Sequence, residues 1–278
     1  DIIKMDNEII NCFKKYDNYL SNNNYIESYN KNRIMLVGEK GGITLQTYFK
    51  NLVNGNKLNK NFINMMKKIK NVLFGLVQLN KNNIIHLDLT AKNIVLSNNT
   101  FKIIDFGLSN ISSNKEYFIK KSNYEFDNNR LYLFYPIDFI FYNKFFDKIN
   151  NELKKIKTEG VDDFRNNADV YYSIHKKFNR DPDKDIKIAL KNKLNDTEFT
   201  KMIKSIDTYS FGILFIYLFN YYDINYENKC IKDFFKLFKK MTEPNYKNRI
   251  LIDDAYIIFC NLLNKYSNKK TRKKTRRK

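Results

Sequence analysis

A long helical pattern followed at once by two short strand patterns is the feature that most restricts the fold of this sequence. Apolar residues recur at helical spacing over about residues 62–80, which predicts an amphipathic helix. Two β-like runs follow, Ile94–Leu96 and Lys102–Ile104, and polar turns bound both. Gly and Pro are scarce, at 8 and 3 of 278 residues. This composition favours a largely helical body with a small amount of strand.

Further patterns predict helices on both sides of this segment. The longest apolar run, Phe211–Phe219, is about half of what a bilayer crossing requires, so it predicts a buried helix and no membrane span. The stretch from about residue 146 to 205 is highly charged, and its pattern predicts several separate helical segments. The other predicted helices are 1–16, a segment from Thr44, 207–222, about 229–241 and 252–264, and two extended stretches lie at Tyr25–Tyr29 and Arg33–Val37.

Three polar residues border the two strand patterns. Asp88 and Asn93 stand five apart, and Asp105 follows twelve residues after Asn93. Phosphoryl transfer from Mg-ATP needs a carboxylate that orients the attacking hydroxyl and takes its proton, together with oxygen ligands for the metal ions that bridge the phosphates. A loop with one Asp and one Asn on the same side of a turn, and a second Asp at the next strand end, supplies these groups.

The stretch HLDLTAKNIVL, followed by IIDFGLS, resembles the catalytic loop and the metal-binding D-F-G motif of protein kinases. The chain is thereby identified as a divergent member of the eukaryotic-type protein kinase catalytic domains. The resemblance implies that Asp88 is the catalytic base and that Asn93 and Asp105 hold Mg²⁺. The implied cofactors are ATP and Mg²⁺, and the implied partner is a protein substrate.

The resemblance extends over most of the chain. Glu39 and Lys40, after the Ile34–Val37 strand, resemble the hinge whose backbone holds adenine. Asp207 opens a D-T-Y-S-F-G stretch that resembles the start of the central helix, where an Asp accepts hydrogen bonds from the catalytic-loop backbone. Arg249 resembles the late Arg that pairs with an acidic residue, here Asp138. The residues implied to be structural are Glu8, His86, Phe106, Gly107, Asp207 and Arg249.

The sequence departs from the family pattern in the catalytic loop. Leu87 replaces the Arg that normally receives a phosphorylated activation loop, so control by that route is not expected. Thr90 replaces the Lys of Ser/Thr kinases, whereas Lys92 stands where tyrosine kinases place an Arg. Lys92 is therefore the second candidate catalytic residue, because it can supply charge to the transition state. Hydroxyl specificity stays open, with Ser/Thr ahead of Tyr.

By this resemblance the fold is α+β and kinase-like, with a mostly α-helical large lobe and a partial small lobe that keeps one helix and two strands. The predicted domains are a partial small lobe and hinge at 1–42, a large lobe at 43–267 with an insertion at about 146–205, and a disordered basic tail at 268–278. The Gly-rich loop and its partner Lys are expected upstream of Asp1, so the chain is expected to be a fragment.

The charge distribution and the cysteine content indicate where the protein is located and what it binds. The net charge is +20, and the last ten residues carry eight positive charges and no acidic residue. A block of this kind predicts disorder and weak polyanion binding. The three widely spaced cysteines predict an intracellular protein, cytoplasmic or nuclear. The Asn- and Lys-rich composition resembles that of kinases of large DNA viruses. A virus-infected host cell is therefore added to the expected locations. The oligomeric state stays open.

Three other readings remain. A pseudokinase scaffold would keep the fold without transfer, and Leu87 and Thr90 leave this open although Asp88, Asn93 and Asp105 are all present. A small-molecule kinase of the aminoglycoside or choline type shares the catalytic-loop pattern, but usually lacks D-F-G followed by an activation segment. A nucleic-acid-binding protein is the third, although the charge is concentrated in the tail and is not interleaved with exposed aromatic residues.

Overall fold

The computed structural model describes residues 42–127, 132–142, 184, 194–224 and 227–275, with side chains up to Ser267. The chain divides into two units between Lys40 and Gly41, and every described residue lies in the second unit. The helix predicted at 1–16 and the two extended stretches at 25–29 and 33–37 therefore lie outside the described residues, as do Glu8, Glu39 and Lys40.

The second unit is mainly helical. Its helices and strands, in chain order, are α1 Leu45–Asn54, α2 Leu58–Lys81, β1 Ile84–Ile85, β2 Ile94–Ser97, β3 Thr100–Ile103, β4 Asn110–Ile111, α3 Lys115–Asp127, α4 Ile137–Ile140, α5 Asp196–Lys204, α6 Ile206–Tyr221, α7 Lys229–Met241 and α8 Ile252–Thr275. The helices predicted near residues 44, 62–80, 207–222, 229–241 and 252–264 are confirmed as α1, α2, α6, α7 and α8.

The two strand patterns predicted after α2 form an antiparallel hairpin. β2 pairs with β3 from Ile94 opposite Ile103 to Ser97 opposite Thr100. Asn98 and Asn99 make the turn with φ values of 49° and 63°, and Asn tolerates this left-handed conformation better than most residues. A second short ladder joins β1 to β4. The two ladders frame the polar residues from 86 to 93, because β1 precedes them and β2 follows them.

α6 is the centre of the hydrophobic core. All its residues from Ile206 to Phe219 are buried except the half-buried Tyr217, and its rings pack on those of α7, with Phe215 stacked on Phe238 at 4.6 Å between centroids. Among the described residues, the stretch Asp196–Tyr221 is long and apolar enough to cross a membrane by length and composition. However, 89% of its most apolar window is buried inside the protein, as in the core helix of a globular protein.

The contact between α6 and α7 is closest at Gly212. A Cβ atom added there would lie 2.8 Å from the Cβ atom of Met241 and 2.9 Å from the carbonyl oxygen of Phe238. Gly212→Ala is therefore expected to lower the free energy of unfolding by about 2 kcal/mol, because the two helices must separate. Chemical denaturation followed by circular dichroism measures this change.

Gly75 in α2 provides the matched control. A Cβ atom added there would meet only the Cδ1 atom of Ile103, at 3.6 Å, which is an ordinary contact distance. Gly75→Ala is expected to leave stability unchanged or to raise it by up to about 1 kcal/mol, because alanine favours the helix. Equal losses in the two variants would contradict the close crossing of α6 and α7.

The structure differs from the sequence prediction at the C-terminal end of the charged region and in the tail. α5 lies inside the predicted insertion at 146–205, but its Phe199, Met202 and Ile203 are buried in the core. α8 continues to Thr275, where disorder is predicted from residue 268. Lys and Arg are good helix formers, and extending an existing helix needs no new nucleus.

Candidate active site

The loop between β1 and β2, residues 86–93, is held by hydrogen bonds to α6. Asp207, in the first turn of α6, is buried and accepts two backbone hydrogen bonds from this loop. Its Oδ2 accepts from the N–H of His86 at 2.7 Å, and its Oδ1 accepts from the N–H of Leu87 at 3.1 Å. Burial raises the pKa of Asp207, and these two hydrogen bonds oppose the rise. The kinase resemblance predicts hydrogen bonds of this kind from the loop backbone to Asp207.

Leu87 explains why this anchor is needed. Its φ is 66°, a left-handed conformation that costs about 1 kcal/mol or more in a residue other than glycine. The bond from its N–H to Asp207 holds the backbone in this conformation. The side chain of Leu87 is fully buried, so the position at which the family carries a phosphate-binding Arg is part of the core here.

His86 joins the loop to the segment after β3. Its Nδ1 accepts from the N–H of Asp88 at 3.3 Å, and its Nε2 lies 3.1 Å from the carbonyl oxygen of Ile104. These two contacts assign the ring proton to Nε2, which then donates to Ile104. The ring of His86 also makes an edge contact with that of Phe106, at 4.8 Å between centroids. The kinase resemblance predicts a packing role for both residues.

Asp88 and Asn93 are in direct contact. The Nδ2 group of Asn93 donates to Oδ2 of Asp88 at 2.8 Å and to the carbonyl oxygen of Asp88 at 2.9 Å. Both amide hydrogens of Asn93 are therefore used within the loop, and its carboxamide oxygen makes none of the hydrogen bonds found among the described residues. This oxygen is left as a ligand for a cation.

Asp105 lies beside Asn93 because the β2–β3 hairpin continues for one more pair. The N–H of Ile104 donates to the carbonyl oxygen of Asn93 at 3.0 Å, and Asp105 follows directly. Asp105 has a φ of 63° and is exposed, and its Oδ1 accepts weakly from the N–H of Gly107 at 3.3 Å. A Cβ atom at Gly107 would lie 3.2 Å from that same oxygen, so glycine leaves the carboxylate accessible.

The side chains of Asn93 and Asp105 both offer oxygen atoms, the type of ligand that Mg²⁺ takes. This cation prefers oxygen ligands, and it is usually held by one or two carboxylates together with waters and substrate phosphates. Among the described residues, no group of three or more His, Cys, Asp or Glu side chains could hold a metal ion.

A cavity of about 440 Å³ opens next to Asp88. It is wide enough for a side chain of a bound molecule, and it has both polar and aromatic walls. Lys92 is exposed at this cavity, and Thr90 is half-buried there. The lining residues are Gln46, Asp88, Thr90, Ala91, Lys92, Asn93, Tyr132, Leu133, Phe134 and Tyr217.

Tyr132 is a residue of this site that the sequence did not predict. Its hydroxyl donates to Oδ1 of Asp88 at 2.7 Å, although the two residues are 44 positions apart. Burial raises the pKa of Tyr132, and the hydrogen bond to Asp88 and the charge of Asp88 raise it further. The only sequence signal was its position shortly before Pro136, in the segment that the resemblance compares with the end of the kinase activation segment.

Arg249 and Asp138 form a buried ion pair away from this cavity. Nη2 of Arg249 lies 3.0 Å from both carboxylate oxygens of Asp138, which is the pairing implied by the resemblance. Nη1 of Arg249 donates to the hydroxyl of Ser205 at 2.6 Å, and the N–H of Tyr246 donates to Asp138 at 2.6 Å. Burial raises the pKa of Asp138, whereas Arg249 opposes the rise.

The segment after the D-F-G stretch is folded as α3 and packs against α4. The hydroxyl of Ser122 lies 2.7 Å from the carbonyl oxygen of Phe139 and 3.2 Å from that of Ile140. Ser122 and Ser112 are buried, while Ser113 and Tyr124 are exposed. Ser112 and Ser122 are therefore inaccessible to a modifying enzyme in this conformation.

This arrangement defines a class of protein. A polar loop with an Asp and an Asn, an exposed Asp after the next hairpin and a central helix that anchors the loop through a buried Asp are together the features of a protein kinase catalytic domain. The comparison with protein families agrees, since the family model for protein tyrosine and serine/threonine kinases matches residues 13–146. The identification of a protein kinase catalytic domain from the sequence is thereby confirmed. No match was found among curated proteins.

The site combines residues from inside and outside the matched segment. The structure brings Asp88 and Asn93 into contact and places Asp105 directly after Ile104, which pairs with Asn93, and all three lie within residues 13–146. Asp207, from beyond that segment, accepts from the backbone of His86 and Leu87 in the same loop. Lys92 lies at the cavity but makes no described contact with Asp88. Of the predicted site residues, only Glu8, Glu39 and Lys40 lie outside the described part of the chain.

Proposed function

We propose that this domain transfers the γ-phosphate of ATP to hydroxyl groups of protein substrates, with serine and threonine as the main acceptors. The observation that carries the proposal is the contact between Asn93 and Asp88. It holds Oδ2 of Asp88 at the wall of the cavity, and it leaves the Asn93 oxygen for a metal ion at the neighbouring hairpin end.

In this proposal the residues have separate tasks. Asp88 accepts a hydrogen bond from the substrate hydroxyl and takes its proton as the hydroxyl oxygen attacks the phosphorus atom. Asn93 and Asp105 would hold Mg²⁺, which neutralises charge on the phosphates when it is bound with ATP. Lys92 supplies positive charge from the cavity side, in place of the Lys that Thr90 replaces. Asp207 and His86 keep the loop in place.

A transfer assay tests the proposal. The full-length protein, including the upstream segment expected to carry the Gly-rich loop and its Lys, is purified and incubated with Mg²⁺, labelled ATP and generic protein substrates. Asp88→Asn and Asp105→Asn are measured beside the wild type. Both variants are expected to lose transfer by at least about 100-fold, because proton removal and metal binding are separately required. Asp253→Asn, an exposed residue of α8, is the control and should transfer normally. Phosphoamino-acid analysis separates Ser/Thr from Tyr acceptors.

The opposite outcome is equally informative. A wild-type protein with neither transfer nor a nucleotide-dependent rise in melting temperature would contradict the enzyme proposal. The domain would then be a pseudokinase that acts by binding. Transfer to aminoglycosides or choline in place of proteins would instead support a small-molecule kinase.

A further inference from the structure

The two oxygen atoms of the Asp88 carboxylate accept hydrogen bonds from residues of two different segments of the chain. Oδ2 accepts from Asn93, which belongs to the same loop, at 2.8 Å. Oδ1 accepts from the hydroxyl of Tyr132, which belongs to the segment before α4, at 2.7 Å. The last torsion of an Asp side chain is soft, so one hydrogen bond alone leaves the plane of the carboxylate free to turn. Two hydrogen bonds on opposite oxygens fix it.

Tyr132 is itself held firmly. Its ring makes an edge contact with the ring of Tyr135 at 4.8 Å between centroids, and its carbonyl oxygen accepts from the N–H of Tyr135 at 2.9 Å. The hydroxyl of Ser210 donates to the carbonyl oxygen of Phe134 at 2.7 Å. Ser210 and Asp207 both lie in α6, so this helix positions both the 86–93 loop and the segment that carries Tyr132.

The chemistry of Tyr132 suits a permanent donor. A tyrosine phenol is protonated at neutral pH, and burial and Asp88 raise the pKa of Tyr132 further, so the group can donate to Asp88 but is a poor base or nucleophile. An ionised carboxylate offers about four lone-pair positions, and the contacts with Asn93 and Tyr132 use two of them. The others stay available to a hydroxyl that enters the cavity.

We propose that Tyr132 is a positioning residue for phosphoryl transfer, which orients the carboxylate of Asp88 toward the acceptor hydroxyl in the adjoining cavity. This inference rests on the proposed function. It assigns to a tyrosine outside the catalytic-loop motif the task of fixing the base, and it makes the geometry of Asp88 depend on the segment before α4. Folding of that segment and competence of the base are then coupled.

The test compares Tyr132→Phe with Tyr135→Phe in the full-length protein. Each substitution removes one phenolic hydroxyl from the same aromatic cluster, but only that of Tyr132 donates to Asp88. Tyr132→Phe is expected to lower kcat by about 10- to 100-fold, as for loss of a hydrogen bond to a charged group, with KM for ATP changed less than about twofold. Tyr135→Phe is expected to keep kcat within about threefold of the wild type. Melting temperatures of both variants verify that they are folded.

A double-mutant cycle separates positioning from a structural role. In the Asp88→Asn background, Tyr132→Phe should cause little further loss, because the hydroxyl acts through the carboxylate. The same fold-loss in both backgrounds would overturn the proposal in favour of a structural role. A faster Tyr132→Phe enzyme would overturn it in favour of a hydroxyl that blocks the acceptor position, and an unchanged kcat would overturn it outright. Absence of transfer by the wild type would instead remove the proposed function, and this role with it.

Discussion

Replacement of Asp207 by alanine is expected to lower the free energy of unfolding by about 3 kcal/mol or more and to abolish transfer. The substitution leaves the N–H groups of His86 and Leu87 buried without an acceptor, and each such group costs about 1–3 kcal/mol. Leu87 also loses the contact that holds its positive φ. The 86–93 loop should therefore change conformation even where the rest of the domain stays folded. Denaturant unfolding and the transfer assay measure the two effects.

Asp207→Asn gives a finer version of the same experiment. The amide has one oxygen and one NH₂ group, so it can accept from only one of the two loop N–H groups and presents a donor to the other. A loss between those of the wild type and the alanine variant is expected. Asp253→Asn serves again as the control, because the side chain of Asp253 is half exposed and its ion pair with Lys81 is long, at 3.8 Å. If Asp207→Ala unfolds at the wild-type denaturant concentration, the anchoring role is wrong.

Replacement of Arg249 by leucine is expected to lower the free energy of unfolding by about 3–5 kcal/mol, because it leaves the charge of Asp138 buried without its partner. Arg249 also donates to Ser205 and to the carbonyl oxygens of Glu243 and Pro244. Those acceptors would lose their donor as well. Arg249→Lys should be nearly as harmful, since an ammonium group cannot reproduce the planar set of donors. Calorimetric melting measures these differences.

Two controls make this prediction specific. Lys247, two residues earlier, forms a partly exposed ion pair with Glu198 at 2.8 Å. Lys247→Ala should change the melting temperature much less than Arg249→Leu, because ion pairs that solvent reaches contribute little. A double variant with leucine at both Arg249 and Asp138 should be more stable than Arg249→Leu alone, because the unpaired buried charge is then absent. A double variant less stable than the single one would contradict the ion-pair explanation.

The sequence predicted the parts of the fold whose patterns are local and strong. The helix from Ile206 to Tyr221 is apolar almost throughout, and the hairpin of β2 and β3 has polar turns on both sides. α3 was not predicted, because its buried positions include polar residues such as Ser122 and Glu125. Glu125 is neutralised by Lys121 one turn earlier, at 3.0 Å, and no sequence pattern shows that this pair is turned inward.

The same contrast between local patterns and long-range contacts applies to the candidate active site. Asp88 and Asn93 are close in sequence, so their spacing alone indicated a shared loop. The pairing of Asp138 with Arg249, which are 111 positions apart, followed only from the family resemblance. Tyr132 followed from neither, because its role depends on a tertiary contact that no motif encodes. Long-range contacts to a short loop are the part of such a site that a single sequence leaves out.

The contact between Tyr142, just after α4, and Phe199 of α5 has a consequence for how this domain tolerates added sequence. Their rings are 4.2 Å apart, so the two ends of this stretch of chain lie close together. The entropy of closing a flexible connection grows only with the logarithm of its length, and about fifty residues in place of a dozen cost about 1.3 kcal/mol more. Extra segments can therefore be gained, lost or exchanged between α4 and α5 while the spacing of Asp88 and Tyr132 stays the same.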